Sequence, residues 1–402
     1  MEFSLHTYLN RLRTRGASDE FVEIIRRHAK PLSDRGLPVI LSLGHLAFAT
    51  SNSHEVLHGI VKREVDPYRG FWIRKRSGGK RYICVPEGGL IRTQRWIHDH
   101  ILCSTWGKKS LSMAATAYVP GSSHIDNAKR HSGADCVLKL DITNFFETIS
   151  ERQVYHVFHG FGYRPLVAFY FSRLCTRVLD PKHDVRSPTV RWAGKKKRWQ
   201  TEANRKNNNY HTVGHLPQGA PTSPMLANLV CFGLDLELQQ IADSINLVYT
   251  RYADDMTFSG SFTTKEQISQ FICQVSAVVG KFGFSINQQK TSLSRTGGRK
   301  IVTGLSVEGD ALRLPRAYKD AIRQELYYIE RYGLSGHLER VGYANHLTYL
   351  MRLKGRIQYW FSIEPATATP SIEQFRAIFP NFNEINELVT GDSSRGIPGT
   401  PY

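Results

Sequence analysis

Two carboxylates stand side by side in Arg251-Tyr252-Ala253-Asp254-Asp255-Met256-Thr257-Phe258-Ser259-Gly260. Like charges that close repel, so a fold keeps them only where a cation neutralises them. Hard divalent ions such as Mg²⁺ take carboxylate oxygens by preference. One Asp-Asp pair cannot hold a two-metal site alone, and a third carboxylate is found at Asp141, closing the alternating apolar run Val137-Leu138-Lys139-Leu140-Asp141. Between them lies Leu216-Pro217-Gln218-Gly219-Ala220-Pro221-Thr222-Ser223-Pro224-Met225-Leu226-Ala227-Asn228, turn-forming in its first half and helix-starting in its second. An Asp-Asp dipeptide taken alone is usually a solvated turn. Three elements of this chemistry in this order are a much more specific signal.

The elements that must position these groups follow from pattern. Leu247 to Tyr252 reads as a strand by its β-branched and aromatic content and Met256 to Phe258 as a second, with both carboxylates at the tight turn between them. A strand ending at Asp141 would deliver its carboxylate into a cleft beside that hairpin. If the strand continues, Phe145 and Phe146 face opposite ways. Tyr68 to Pro86 alternates enough for another hairpin, turning at Ser77-Gly78-Gly79, with a cationic tip. Helical spacing marks Leu90–Leu102, Phe262–Phe282, Tyr318–Tyr332 and His346–Phe361, and a short helix near Ser371–Ile378. Ser18 is an N-cap for a helix to about Lys30 that Pro31 ends. Ile301–Val307 and Leu312–Leu314 read as paired strands. Residues 182–215 are irregular and basic, with nine Lys and Arg side chains against Asp184 and Glu202. A solvated loop and an RNA clamp fit that composition about equally.

Composition bounds the partners. The 402 residues are 41% hydrophobic, enough for a sizeable core in two or three subdomains, and the formal net charge is +18. Such an excess points to a polyanion, and the 18 Tyr, 20 Phe and 6 Trp favour nucleic acid over an acidic membrane, because aromatic faces stack on bases while cations hold phosphates. The six cysteines form no Cys-x-x-Cys pair and read as reduced core residues of a cytoplasmic protein. No apolar stretch is long enough for a signal peptide core or a membrane span.

Asp141, the Leu-Pro-Gln-Gly run at 216–219 and Tyr252-Ala253-Asp254-Asp255 resemble the first three catalytic motifs of reverse transcriptases, and Gly283 to Thr291 with Lys290 resembles the fourth. Asn127-Ala128-Lys129-Arg130-His131 and Val302-Thr303-Gly304 are similar to the two boxes that mark bacterial retron reverse transcriptases. The resemblance covers roughly residues 40 to 360 and implies an α+β fold of right-hand polymerase architecture. Its expected parts are an N-terminal helical region at 1–65, fingers at 66–135, a palm at 136–310 interrupted at 182–215, a helical thumb at 311–365, and a C-terminal extension at 366–402.

The resemblance also implies roles. Asp141, Asp254 and Asp255 would be catalytic, holding two Mg²⁺ ions, or Mn²⁺ in their place, with Ile142 adjoining the metal. Lys290 would give a proton to the leaving pyrophosphate. Arg81, then Arg74 or Lys75, would grip the triphosphate, since a guanidinium takes two phosphate oxygens at once. Phe146 would exclude a 2′-hydroxyl, with Gln218 and Gly219 against the nucleotide. Asn127, His131, Lys195, Lys196, Lys197, Arg198, Val302, Thr303, Gly304, Lys354 and Arg356 would meet RNA. The implied partners are dNTPs, a cognate msr-msd type non-coding RNA with its DNA product, and an effector protein of a defence system. Another bacterial reverse transcriptase, or a palm fold kept as a catalytically silent RNA scaffold, are the alternatives.

Overall fold

A computed structural model describes residues 5–74, 78–178, 213–262, 264–295, 297–380 and 382. The described chain divides into two compact units, Met1–Arg130 with Asp135–Thr296, and His131–Ala134 with Gly297–Tyr402. The mix of helices with antiparallel sheet is the expected α+β class.

The first unit is built on a four-stranded antiparallel sheet of β3 (Cys136–Asp141), β4 (Val248–Tyr252), β5 (Asp255–Gly260) and β6 (Ser292–Ser294), in the order β4-β5-β3-β6. The central strands are enclosed: β3 is a nearly continuous apolar run, and β5 buries Thr257 and Ser259 along with Met256 and Phe258. The helix Lys265–Lys281 buries Ile268, Phe271, Val275 and Val279, and Phe271 meets Phe258 of β5 edge-on with ring centroids 5.0 Å apart. Full burial of one such side chain is worth about 1.5–3 kcal/mol. The helix Phe232–Asp243 packs against β4. Ahead of this sheet, the ribbon of β1 (Tyr68–Arg74) and β2 (Lys80–Pro86) pairs Arg74 with Lys80 at the end nearest the connection between the strands.

N-terminal to the ribbon are four helices, each begun by a residue at its N-cap where one is described: Ser18, Ser42 and Ser53 accept from the main chain three residues on. The second runs Asp19–Asp34, four residues past the expected end, because Pro31 sits inside it. Proline removes one donor but does not stop a helix whose next turn packs Leu32 into the core. The helix expected over Leu90–Leu102 is α-helical over Gly88–Ile97 and then widens to a π turn over His98–Leu102.

In the second unit, β7 (Ile301–Val302) and β8 (Leu305–Ser306) form a tight hairpin around Thr303 and Gly304, both at positive φ. Residues 301–307 are thus two strands rather than the single one expected, and Arg313 bridges to Ser306. Three helices follow, Arg316–Val341 broken at Gly333, His346–Ile363 and Pro365–Ile378. The last packs on both of the others. It therefore belongs to this helical unit, not to a separate extension, and the hairpin joins the same unit instead of the sheet-bearing one.

Candidate active site

The acidic turn is set from beneath. Tyr252 pairs with Asp255 across β4 and β5, leaving a two-residue turn of Ala253 and Asp254, with Ala253 at φ +58°. An alanine there is strained by about 1 kcal/mol or more. Arg251, wholly enclosed, holds it: its guanidinium donates to both carboxylate oxygens of Asp235 at 2.7 Å, to Asn228 Oδ1 at 3.2 Å and to the Ala253 carbonyl at 3.1 Å. The Tyr249 hydroxyl adds a bond to Asp235 at 2.9 Å.

Asp141 ends β3 directly opposite Asp255, and side chains so paired project from the same face of a sheet about 4.5–5.5 Å apart at Cβ. The Ile142 N–H donates to the Asp254 carbonyl at 2.9 Å, and the Asn287 N–H to the Asp141 carbonyl at 2.8 Å. Three acids distant in sequence thus share one end of the sheet. Lys290 comes from a 3₁₀ turn that precedes β6, and its ammonium donates to Asp141 Oδ2 at 2.6 Å.

Electrostatics follow from that crowding. Burial, then the charges of Asp255 and Asp141, push Asp254 up to about 6. Asp255 is raised by burial and Asp141 against the opposing pull of Lys139 and Lys290. Burial alone would lower Lys290, but its bond to Asp141 and the three acidic charges raise it. A cluster that protonates this readily is short of positive charge, so the donor set suits a divalent cation. Among the described residues no three His, Cys, Asp or Glu side chains are grouped closely enough to hold a metal ion by themselves, which leaves the acidic end open. Mg²⁺ suits that openness, since it is bound through one or two carboxylates plus substrate phosphates and waters rather than by an all-protein shell.

Of the residues expected to face a nucleotide, Gln218 and Gly219 meet the ribbon. The Cys84 N–H donates to the Gln218 carbonyl at 2.7 Å, stitching the Leu-Pro-Gln-Gly turn to β2. Gly219, at φ +114°, lies so close that a Cβ would come 2.7 Å from Ile83 Cγ2 and 3.0 Å from the Cys84 carbonyl. Arg81 is two residues from Ile83 and shares its face of the ribbon. Arg74 pairs with Lys80 on the opposite face, with Trp72 tilted against Tyr82 at 4.9 Å between ring centroids. Pleating therefore favours Arg81 over Arg74, while Lys75 lies outside the described residues. Phe146 is buried, but not on a strand: Asn144 takes φ +49° and Phe145–Thr148 is one helical turn. The two rings meet each other at 5.4 Å, Phe145 turning to Phe284 and Phe146 to Tyr118.

Several residues expected to meet RNA are used inside the fold. Asn127 and His131 are 0% and 1% exposed, and Asn127 Oδ1 accepts from the Thr116 hydroxyl at 2.8 Å. Asn127 of their box fastens the neighbouring segment through Thr116, while Lys129 and Arg130 between them stay exposed. Val302 is buried, leaving the Thr303-Gly304 turn as the outward part of its box. Arg356 is half-buried and paired with Glu325 at 2.6 Å, and the Lys354 ammonium lies 5.2 Å from the Phe382 ring. Lys195, Lys196, Lys197 and Arg198 lie outside the described residues.

The Arg251–Asp235 pair was missed, although an arginine three residues before an acid pair is a visible cue; it neutralises a carboxylate of a helix, not the turn. Tyr118 and Arg177 were missed too. Arg177 donates to Asp66 at 2.8 Å and exchanges both main-chain bonds with His215, so the chain closes on itself across 178–214.

An acidic sheet end facing a basic ribbon and a Gln-Gly turn is the arrangement of a template-directed polymerase palm. The chain belongs to the reverse transcriptase (RNA-dependent DNA polymerase) family, whose pattern matches residues 73–320. Within it the similar curated proteins are of the retron kind. Retron Ec86 reverse transcriptase of Escherichia coli is 30% identical over 77% of this chain and 84% of its own. Retron Mx162 reverse transcriptase of Myxococcus xanthus is 33% identical over 65% of this chain, and the chain spans about half, 52%, of that relative. Among solved structures, telomerase from Candida tropicalis aligns over 84% of this chain and 65% of its own with 10% identity and a TM-score of 0.42.

Proposed function

We propose that this chain is an RNA-directed DNA polymerase that copies part of a cognate, structured, msr-msd type RNA into a branched RNA-linked DNA. The observation that carries the reading is Asp141 facing Asp255 across the sheet with Lys290 bonded to it at 2.6 Å. Asp141 and Asp254 would hold two Mg²⁺ or Mn²⁺ ions, with Asp255 adding charge and the Ile142 main chain adjoining. When bound, such a pair lowers the pKa of the primer hydroxyl and stabilises the leaving oxygen.

The remaining work belongs to side chains. Lys290, its pKa raised by the acids around it, keeps its proton at neutral pH and gives it to the pyrophosphate once it leaves Asp141. Arg81 takes the triphosphate from the ribbon. Gln218 and Gly219 lie under base and sugar, where a Cβ at 219 would push the turn off β2. Phe146 blocks a 2′-hydroxyl and so selects dNTPs. RNA is held by the basic segment containing Lys195–Arg198, by the Thr303-Gly304 turn and by Lys354. Priming starts from a 2′-hydroxyl of an internal guanosine of that RNA, and the enzyme works in the cytoplasm beside an effector protein in anti-phage defence.

Primer extension on an RNA template by the wild type and Asp254→Asn tests the reading, with sequencing of nucleic acid that co-purifies with the protein. DNA from the wild type alone supports it. RNA binding by both with DNA from neither means a scaffold.

A further inference from the structure

The segment before Tyr118 is fastened along β4. The Arg251 N–H donates to the Ala114 carbonyl at 2.8 Å, the Thr116 N–H donates to the Arg251 carbonyl at 2.9 Å, and Ala115 pairs with Arg251 in the parallel sense. The Thr116 hydroxyl lies 2.8 Å from Asn127 Oδ1, and the Asn228 amide donates to the Ala117 carbonyl at 2.7 Å. Because the two stretches run the same way, the residue after Ala117 is delivered beside the acid turn that follows Arg251.

Tyr118 then sits at φ +60° while 45% exposed. A side chain that large rarely takes this region, and a half-exposed ring recovers little of the strain by packing. Such a conformation persists where its surroundings impose it and is frequent at ligand sites. Its ring centroid is 6.3 Å from that of Phe146, with the planes tilted by 55°. Burial first, then the charges of Asp254 and Tyr252, raise the hydroxyl's pKa, while Arg81 draws it down. The hydroxyl therefore keeps its proton as a donor and feels both the palm carboxylate and the ribbon guanidinium.

We propose that Tyr118 is a nucleotide-contacting residue, its ring and Phe146 walling the sugar while its hydroxyl donates to the triphosphate between Arg81 and Asp254. This rests on the polymerase reading, and it assigns the segment bracketed by Asn127 to the nucleotide, not to RNA.

The test measures binding of dTTP and UTP, with Ca²⁺ to prevent turnover, to the full chain on a primed RNA template, for wild type, Tyr118→Phe and Tyr118→Leu. Loss of one hydrogen bond to a charged oxygen should weaken dTTP binding about tenfold in Tyr118→Phe, with the melting temperature kept. Tyr118→Leu, which removes the ring at similar volume, should narrow the dTTP-to-UTP preference several-fold. Wild-type dTTP affinity in Tyr118→Phe with wild-type preference in Tyr118→Leu overturns the proposal. If the wild type binds dTTP yet makes no DNA, the polymerase reading falls, and the Tyr118 contact is then judged by the dTTP affinities of the two variants alone. If it makes DNA and neither variant differs, only the assignment falls; no dTTP binding by the wild type sinks both.

Discussion

Asp254 is the residue on which charge is least balanced. Its folded pKa of about 6 lies above the ordinary 3.8, so between those values the folded protein binds more protons than the unfolded chain. The stability this group contributes is complete below about pH 4 and is lost as pH rises through 6. Asp254→Asn should therefore melt several degrees above the wild type at pH 7.5 in EDTA, a gain of about 3 kcal/mol, while making no DNA. An equal or lower melting temperature would contradict the crowding described here. The same proton competes with a divalent ion. The Mg²⁺ concentration for half-maximal primer extension should rise about tenfold per pH unit below pH 6, following one-proton linkage; a flat profile down to pH 5 would assign the ion elsewhere. Arg251 illustrates the opposite balance. Arg251→Met leaves Asp235 buried and unpaired, which should cost about 3–5 kcal/mol in urea denaturation and abolish extension.

Among the elements, the contact between the ribbon and the Gln-Gly turn joins the two segments proposed to hold the nucleotide. It depends on a glycine without a side chain and on one main-chain bond, from the Cys84 N–H to the Gln218 carbonyl. Gly219→Val should break that bond by forcing Ile83 and the Cys84 carbonyl away. The apparent KM for dNTP should then rise at least tenfold, with a smaller change in RNA affinity; steady-state extension and filter binding separate the two. The ribbon's pleat gives Arg81 and not Arg74 the face that meets Gly219, a choice a list of cations cannot make. Phe145 and Phe146 carry the same lesson. A strand would have sent them to opposite faces, but the left-handed Asn144 turns the chain into a helical turn, and both rings go inward.

For the molecule as a whole, charge and chain closure decide how RNA is held. A formal charge of +18 makes binding steeply salt-dependent. The mutual main-chain bonds of Arg177 and His215 bring both ends of the intervening stretch together, so a short glycine turn can replace residues 179–212 without parting them. That variant should keep its melting temperature within a few degrees while the slope of log affinity against log salt becomes shallower by several units, as phosphate-binding cations are removed. An unchanged slope would show that the segment holds no phosphates. Among the described residues no helix is long and apolar enough to cross a membrane.

Asp141, Gln218, Asp254 and Lys290 were legible because polymerase chemistry fixes residue types within short runs, and local runs are what a sequence displays. The α+β class, the sheet strands and most helices were legible for the same reason, since apolar periodicity is local. Tertiary structure alone decided which polar residues of those runs turn inward. Asn127 and Arg251 are spent on hydrogen bonds to other segments and His131 is buried, and a buried polar group must find such partners or pay desolvation. It also decided that Tyr118 stands by the acids, because the pairing that places it runs between residues 115 and 251, and no spacing along the chain encodes a contact across that separation.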